Sequence, residues 1–286
     1  MYAVMFGILI GLFFALQQFF SSKGLKLVDK YFFMLLQSVL VVFVLFVIAL
    51  SSDFIMPSVY IIGLIVLIGI IGFVALLFFY KGLEVGKLAL ISSIFNSYPL
   101  VTVLLSVYFY KETLSFWQIL GIISIFIGIF LISFDYKELK KLNFKILDKS
   151  LIFAFVTLIG WGLYLFLQKP VVDQVGSKWA IFYIELAVGI FTMLYFYNKL
   201  LHLKEKKVDK SAIKYILLSA TFIILSGLTF TYAIMDNGVA IVSSLAGFLT
   251  PLFALIFAFI FLKEKIEPIQ LVGICLSAVG VLLISL

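Results

Sequence analysis

The chain is 286 residues long, 65% hydrophobic and only 12% charged, with a net charge of +7 and a mean hydropathy of +1.27. A soluble domain is about 45–50% apolar and about 25% charged, so this composition cannot cover a water-exposed surface. It excludes a soluble globule, a disordered chain and a collagen-like fibre. Unbroken apolar runs of about 20 residues match a bilayer core of about 30 Å and exclude a β-barrel, whose strands alternate polar and apolar residues over about 10 positions.

Ten apolar spans follow one another, at 2–21, 31–50, 58–80, 87–109, 114–134, 150–168, 178–197, 213–235, 239–262 and 268–286. Backbone polar groups in lipid must be satisfied internally, so each span reads as a helix. The predicted fold is an all-α polytopic membrane protein of ten transmembrane helices. The first span opens at Tyr2 without a basic stretch or a small-residue cleavage site, and reads as a retained helix rather than a signal peptide. It carries Gln17 and Gln18, and the second span carries Gln37. The fourth holds Ser92, Ser93, Asn96, Ser97 and Tyr98 just before Pro99, and the fifth holds Gly121 and Gly128. A Lys-rich stretch, 135–149, reads as a cytoplasmic linker. In the sixth span Trp161, Tyr164 and Gln168 share one helical face at i, i+3 and i+7. The seventh contains Glu185, the ninth has Ser243, Ser244 and Thr250 before Pro251, and the tenth has Gly273 and Gly280.

The chain repeats itself. A shift of 152 lays 80–133 on 232–285 without a gap, matching Gly86 with Gly238, Ser92 with Ser244, Pro99 with Pro251, Lys111-Glu112 with Lys263-Glu264, and Gly121 and Gly128 with Gly273 and Gly280. Residues 30–37 lie on 178–185 in the same way, whereas the first helices align in no clear register. The expected halves are 1–134 and 150–286, five helices each. An odd count makes the second copy enter the membrane from the opposite side, which gives an inverted repeat. All 21 basic residues are lysines, and 18 of them fall in the odd-numbered breaks between spans. By the positive-inside rule those breaks are cytoplasmic and both termini extracytoplasmic. The inner (cytoplasmic) cell membrane is the expected location.

Few side chains could carry chemistry. One cysteine (Cys275) and one histidine (His202) exclude a disulfide within the chain and any Cys or His metal cluster. No P-loop, nucleophile elbow or HExxH pattern occurs, so no catalytic residue, cofactor or metal is expected. Without arginine, the positive charge does not read as a nucleic-acid footprint. Glu185 lies about seven residues into its helix, roughly 10 Å deep at about 1.5 Å per residue. A carboxylate there is costly unless paired, hydrated or protonated, which suits proton coupling or binding of a cationic group. The alternative is an interfacial carboxylate paired with Lys178. Pro99 and Pro251 interrupt equivalent helices and free carbonyls for a solute, or simply set a kink whose hydroxyls bond their own helix. The Trp161, Tyr164 and Gln168 face, with Gln17 and Gln37, suits amphipathic or cationic organic solutes, or serves as interhelical glue.

At the paired Lys-Glu, Pro and Gly landmarks, the stretches 88–133 and 241–285 resemble the end of an EamA domain. Gly160-Trp161-Gly162 followed by Lys169 resembles the family's first-helix pattern. Two such domains in ten helices are similar to the EamA family of the drug/metabolite transporter superfamily. That resemblance implies secondary transporters, many of them exporters of amino acids, metabolites or drugs. It also implies a central cavity lined by the first, third and fourth helices of each half. Where the family often has an arginine early in the second helix, this chain has Gln37 and Glu185. Studied relatives usually keep both termini in the cytoplasm, and the lysine count gives the reverse here. The expected function is alternating-access transport of small organic solutes with protons as the coupling ion, by a monomer or homodimer in the lipid bilayer. An intramembrane enzyme and a passive channel are the alternatives.

Overall fold

The computed structural model describes residues 2–85, 97–132, 144–200, 210–262 and 267–284. Every regular element among them is a helix: α1 (Tyr2–Gly24), α2 (Lys30–Ala49), α3 (Val59–Val85), α4 (Tyr98–Phe109), α5 (Phe116–Ile132), α6 (Phe144–Leu200), α7 (Lys210–Asn237), α8 (Val239–Leu262) and α9 (Pro268–Ile284). Six of them contain membrane-length apolar spans: Tyr2–Gly24, Lys30–Ala49, Val59–Lys81, Ile152–Tyr197, Ser211–Asn237 and Val239–Phe257; α4, α5 and α9 are shorter apolar helices. The Ile152–Tyr197 span is 46 residues long, enough at about 1.5 Å per residue for two helices that each cross a bilayer core of about 30 Å.

Three local expectations are corrected. The polar stretch 169–177 is not an open break: α6 runs through it, interrupted only at Gly176 (φ 76°, ψ 164°), a left-handed conformation that glycine adopts without a side-chain clash. The two arms, 144–175 and 177–200, stand for the predicted sixth and seventh helices. The helix also starts at Phe144, inside the expected linker. Pro99 sits in the first turn of α4 rather than in a helix interior, where its missing N–H costs no helical bond.

Two compact units are formed, and neither follows the halves of the sequence. One comprises Met1–Gly11, Val74–Phe166 and Asn237–Leu286; the other comprises Leu12–Phe73 and Leu167–Asp236. In the first unit, α5 and α9 form a close seam. A Cβ on Gly121 would lie 2.6 Å from the Gly280 carbonyl oxygen, and one on Gly128 would lie 2.7 Å from that of Gly273. Going up one helix goes down the other, so the pair is antiparallel. Each glycine also faces the counterpart of its neighbour, the reciprocal pattern of a two-fold contact. Absent side chains let helices approach in lipid, where no hydrophobic force drives them together. Ile125, Ile129, Leu245 and Phe248 fill the core beside this seam. Gly7 packs on Leu245 and Gly11 on Leu249, Gly162 packs on Val101 and the Tyr98 carbonyl, and Gly247 receives the ring of Pro99.

In the second unit, α2 runs antiparallel to the 177–200 arm. Tyr31 meets Phe196 at 4.6 Å between ring centroids and Phe46 meets Phe182 at 5.4 Å, with Gly189 between them beside Val42 and Ser38. The same arm runs antiparallel to α7, through Ser177–Thr231 (2.8 Å) and Ile181 on Gly227. The loop before α3 is fastened on both sides of Gly176. Lys178 Nζ donates to Ser51 Oγ (2.8 Å) and the Ser58 N–H to Gln174 Oε1 (3.0 Å), while Phe54 stands edge-on to Trp179. Asp29 caps α2, accepting from the Tyr31 N–H at 2.8 Å.

Candidate functional site

In the second unit, two of the sequence candidates are held by residues that the sequence did not single out. Gln17 Nε2 donates to Ser21 Oγ (3.1 Å), Gln37 Nε2 donates to Ser219 Oγ, and the two serine hydroxyls share a 2.7 Å bond. This polar chain ties α1, α2 and α7 in a buried setting, since Gln37, Ser21 and Ser219 are each less than 5% exposed. One of the two hydroxyl protons is used between the serines; the other is left to donate elsewhere. Gln168 is buried too, and its Oε1 has no partner among the described residues. Glu185 is half-buried on the 177–200 arm. It lies one turn after Ile181, which meets Gly227 of α7, and one turn before Gly189, which meets Ser38 and Val42 of α2. Helical spacing therefore sets it on the side of the arm turned toward α2 and α7. Trp179 stacks on Tyr183 at 5.5 Å, and its Nε1 and the Tyr183 hydroxyl are buried without partners among the described residues. Neither was a sequence candidate; two aromatics at i and i+4 inside an apolar run give no signal beyond core packing.

In the first unit, Trp161 stands edge-on to Tyr164 at 4.9 Å, and its Nε1 is buried with no partner among the described residues. Tyr98 and Pro99 are buried where α4 meets Gly162 and Gly247, and Thr102 Oγ1 donates to the Gly162 carbonyl at 3.0 Å. Ser243 and Ser244 both bond the Ala240 carbonyl, and Thr250 bonds that of Ala246. These three hydroxyls are spent on their own helix, one turn back. Pro251 lies inside α8. Ser92 and Asn96 lie outside the described residues.

A further polar feature of this unit went unnoticed in the sequence except as a landmark. Glu112, in the turn after α4, accepts the Val239 N–H at 2.9 Å and the Ala240 N–H at 3.0 Å, capping α8. Among the described residues no group of three His, Cys, Asp or Glu side chains could hold a metal. Among the described residues, the buried side-chain polar atoms without a partner are Nε1 of Trp161 and of Trp179, the Tyr183 hydroxyl, Gln168 Oε1 and the hydroxyls of Ser106 and Ser277.

These features define a polytopic helical membrane protein in which equivalent helices of two repeats pair antiparallel. The description "EamA-like transporter family" matches residues 1–134 and 148–286, and the chain belongs to that family of drug/metabolite transporters. An "Uncharacterized transporter YojE" of Bacillus subtilis (strain 168) is 24% identical over 140 residues, 47% of this chain and 46% of that protein. The chain thus spans about half the length of that relative. An "Uncharacterized protein MJ1333.1" of Methanocaldococcus jannaschii is 26% identical over 131 residues, 46% of this chain and 96% of that protein, which is therefore about as long as one repeat. A protein solved by crystallography has the same fold: TM-score 0.79, 14% identity, covering 100% of this chain and 98% of the other.

Proposed function

We propose that the chain is a secondary active transporter of small organic solutes, of the amino-acid, metabolite or drug exporter class, working by alternating access with proton coupling through Glu185. The observation that carries this reading is the antiparallel pairing of equivalent helices, α5 with α9 in one unit and α2 with the 177–200 arm in the other. Two copies of one fold facing opposite ways can exchange conformations, and the exchange opens alternate faces of the membrane. Two further contacts support ten spans whose even-numbered breaks share one face. The turns expected on the outer face meet each other: 51–58 meets Gln174 and Lys178, and Glu112 meets the start of α8. Among the described residues, Trp161 of the first unit offers a donor and Gln168 of the second an acceptor that no side chain or backbone group takes up. With Tyr164 beside it, Trp161 suits an amphipathic or cationic solute.

Counterflow in proteoliposomes tests the reading. Saturable exchange across a panel of amino acids, nucleosides, amines and dyes supports a carrier; conductance without saturation replaces it with a channel. Glu185→Gln is expected to abolish proton-coupled uptake while the protein stays folded. Unchanged pH dependence of transport in that variant removes Glu185 from the coupling role.

A further inference from the structure

We propose that Glu112 is a latch of the transport cycle: its carboxylate holds one end of α4 to the start of α8 in the conformation seen here, and its release lets that end part. The inference rests on the alternating-access reading. An ordinary N-cap comes from the residue just before its own helix. This one comes from 127 and 128 positions away, from the turn that ends α4 of the first repeat, and it serves a helix of the second. Both carboxylate oxygens are engaged, each on an N–H that has no acceptor within the helix, and the negative charge meets the positive end of the α8 dipole.

The turn and its target are both shaped for this contact. Lys111 has φ 55°, a left-handed conformation that is uncommon outside glycine, and it aims the next residue at α8. Gly238 has φ 72°, and a Cβ there would lie 3.1 Å from Glu112 Oε2. Further along the same two helices the contact changes character: Gly247 of α8 receives the apolar ring of Pro99. An apolar ring against a glycine can rock without breaking a polar bond, whereas parting at the Glu112 end exchanges two hydrogen bonds for water. The capping carboxylate and the glycine just before the capped helix are both landmarks of the repeat, with Glu264 and Gly86 as counterparts at the shift of 152. Those counterparts lie outside the described residues.

Labelling in nanodiscs tests the latch. Ser244, buried one turn into α8, is replaced by cysteine in a Cys275→Ser background, and its reaction with a hydrophilic maleimide is timed well below the unfolding temperature. Glu112→Ala is expected to raise the labelling rate about ten-fold, equivalent to about 1.4 kcal/mol. Glu112→Gln, which keeps one acceptor oxygen, should fall between that variant and the parent. A cap that only stabilises the fold would lower the unfolding temperature and leave labelling of the folded protein unchanged. Equal rates in all three proteins overturn the latch, whatever counterflow reports. If Glu112→Ala does not purify as a single species, the comparison of Glu112→Gln with the parent decides. Raised labelling supports the latch independently of counterflow, which alone judges the carrier reading.

Discussion

Replacing Ser219 by alanine removes the centre of the polar chain that ties α1, α2 and α7. The hydroxyl accepts from Gln37 and shares a bond with Ser21, so its loss strands a buried amide N–H and a buried hydroxyl. Interhelical hydrogen bonds in membranes average about 0.6 kcal/mol each and reach about 1.7, which puts two of them near 1.2 kcal/mol. Leaving buried donors unsatisfied adds up to about 1–3 kcal/mol. Ser219→Ala is therefore expected to destabilise by about 1–3 kcal/mol, read from reversible SDS unfolding followed by helicity. The double variant with Gln37→Leu should recover about 1 kcal/mol of that loss relative to additivity, because leucine leaves no amide to strand. A Ser219→Ala protein within about 0.3 kcal/mol of the parent, or a strictly additive cycle, would refute the reasoning.

Other consequences can be checked separately. Gly280→Ala places a methyl 2.6 Å from the Gly121 carbonyl oxygen and should cost about 1–3 kcal/mol by overpacking. Gly63→Ala meets nothing within 4 Å and should be neutral or stabilise by up to about 1 kcal/mol through helix propensity; SDS unfolding of the two variants compares them directly, and equal effects would sink the seam. Trp161→Phe should weaken solute affinity in counterflow about five-fold, one hydrogen bond of about 1 kcal/mol, without lowering stability, since the indole N–H has no partner among the described residues; unchanged affinity means that this donor does not touch the solute. A reporter fused after Leu286 should read extracytoplasmic, and a cytoplasmic signal reverses the orientation.

What the sequence disclosed depended on the kind of signal. Apolar length marked the helices, and Gly, Pro and Lys-Glu landmarks marked the repeat, because those residues stand out against an apolar background. The glycines of α5 and α9 were legible as packing sites, but their mutual opposition was not, since it depends on how two distant helices meet. The register of the first helices was missed. In the structure Gly11 lies against Leu249 and Thr250, as Gly162 lies against Tyr98 and Val101. Gly11 and Gly162 stand 151 apart, a shift under which Gly11-Leu12 falls on Gly162-Leu163 and Leu16-Gln17 on Leu167-Gln168. Which apolar faces are buried was hidden for a physical reason. Lipid and protein interior are equally apolar, so periodicity carries little contrast in a membrane. Ser21 and Ser219 were passed over because a serine in an apolar run ordinarily bonds its own helix, as Ser243 and Ser244 do.

The reciprocal glycine seam between α5 and α9 has an evolutionary reading. Because each side presents the same surface to the other, it needs no peptide bond between the two repeats in order to form. A duplicated half inserted the other way round would meet its twin along the same glycines. Severing the chain in the stretch between α5 and α6 and co-expressing the two pieces should then yield a pair that co-purifies. Charged side chains at Gly121 and Gly128 of one piece should weaken that pairing, the remaining contacts between the repeats being left in place.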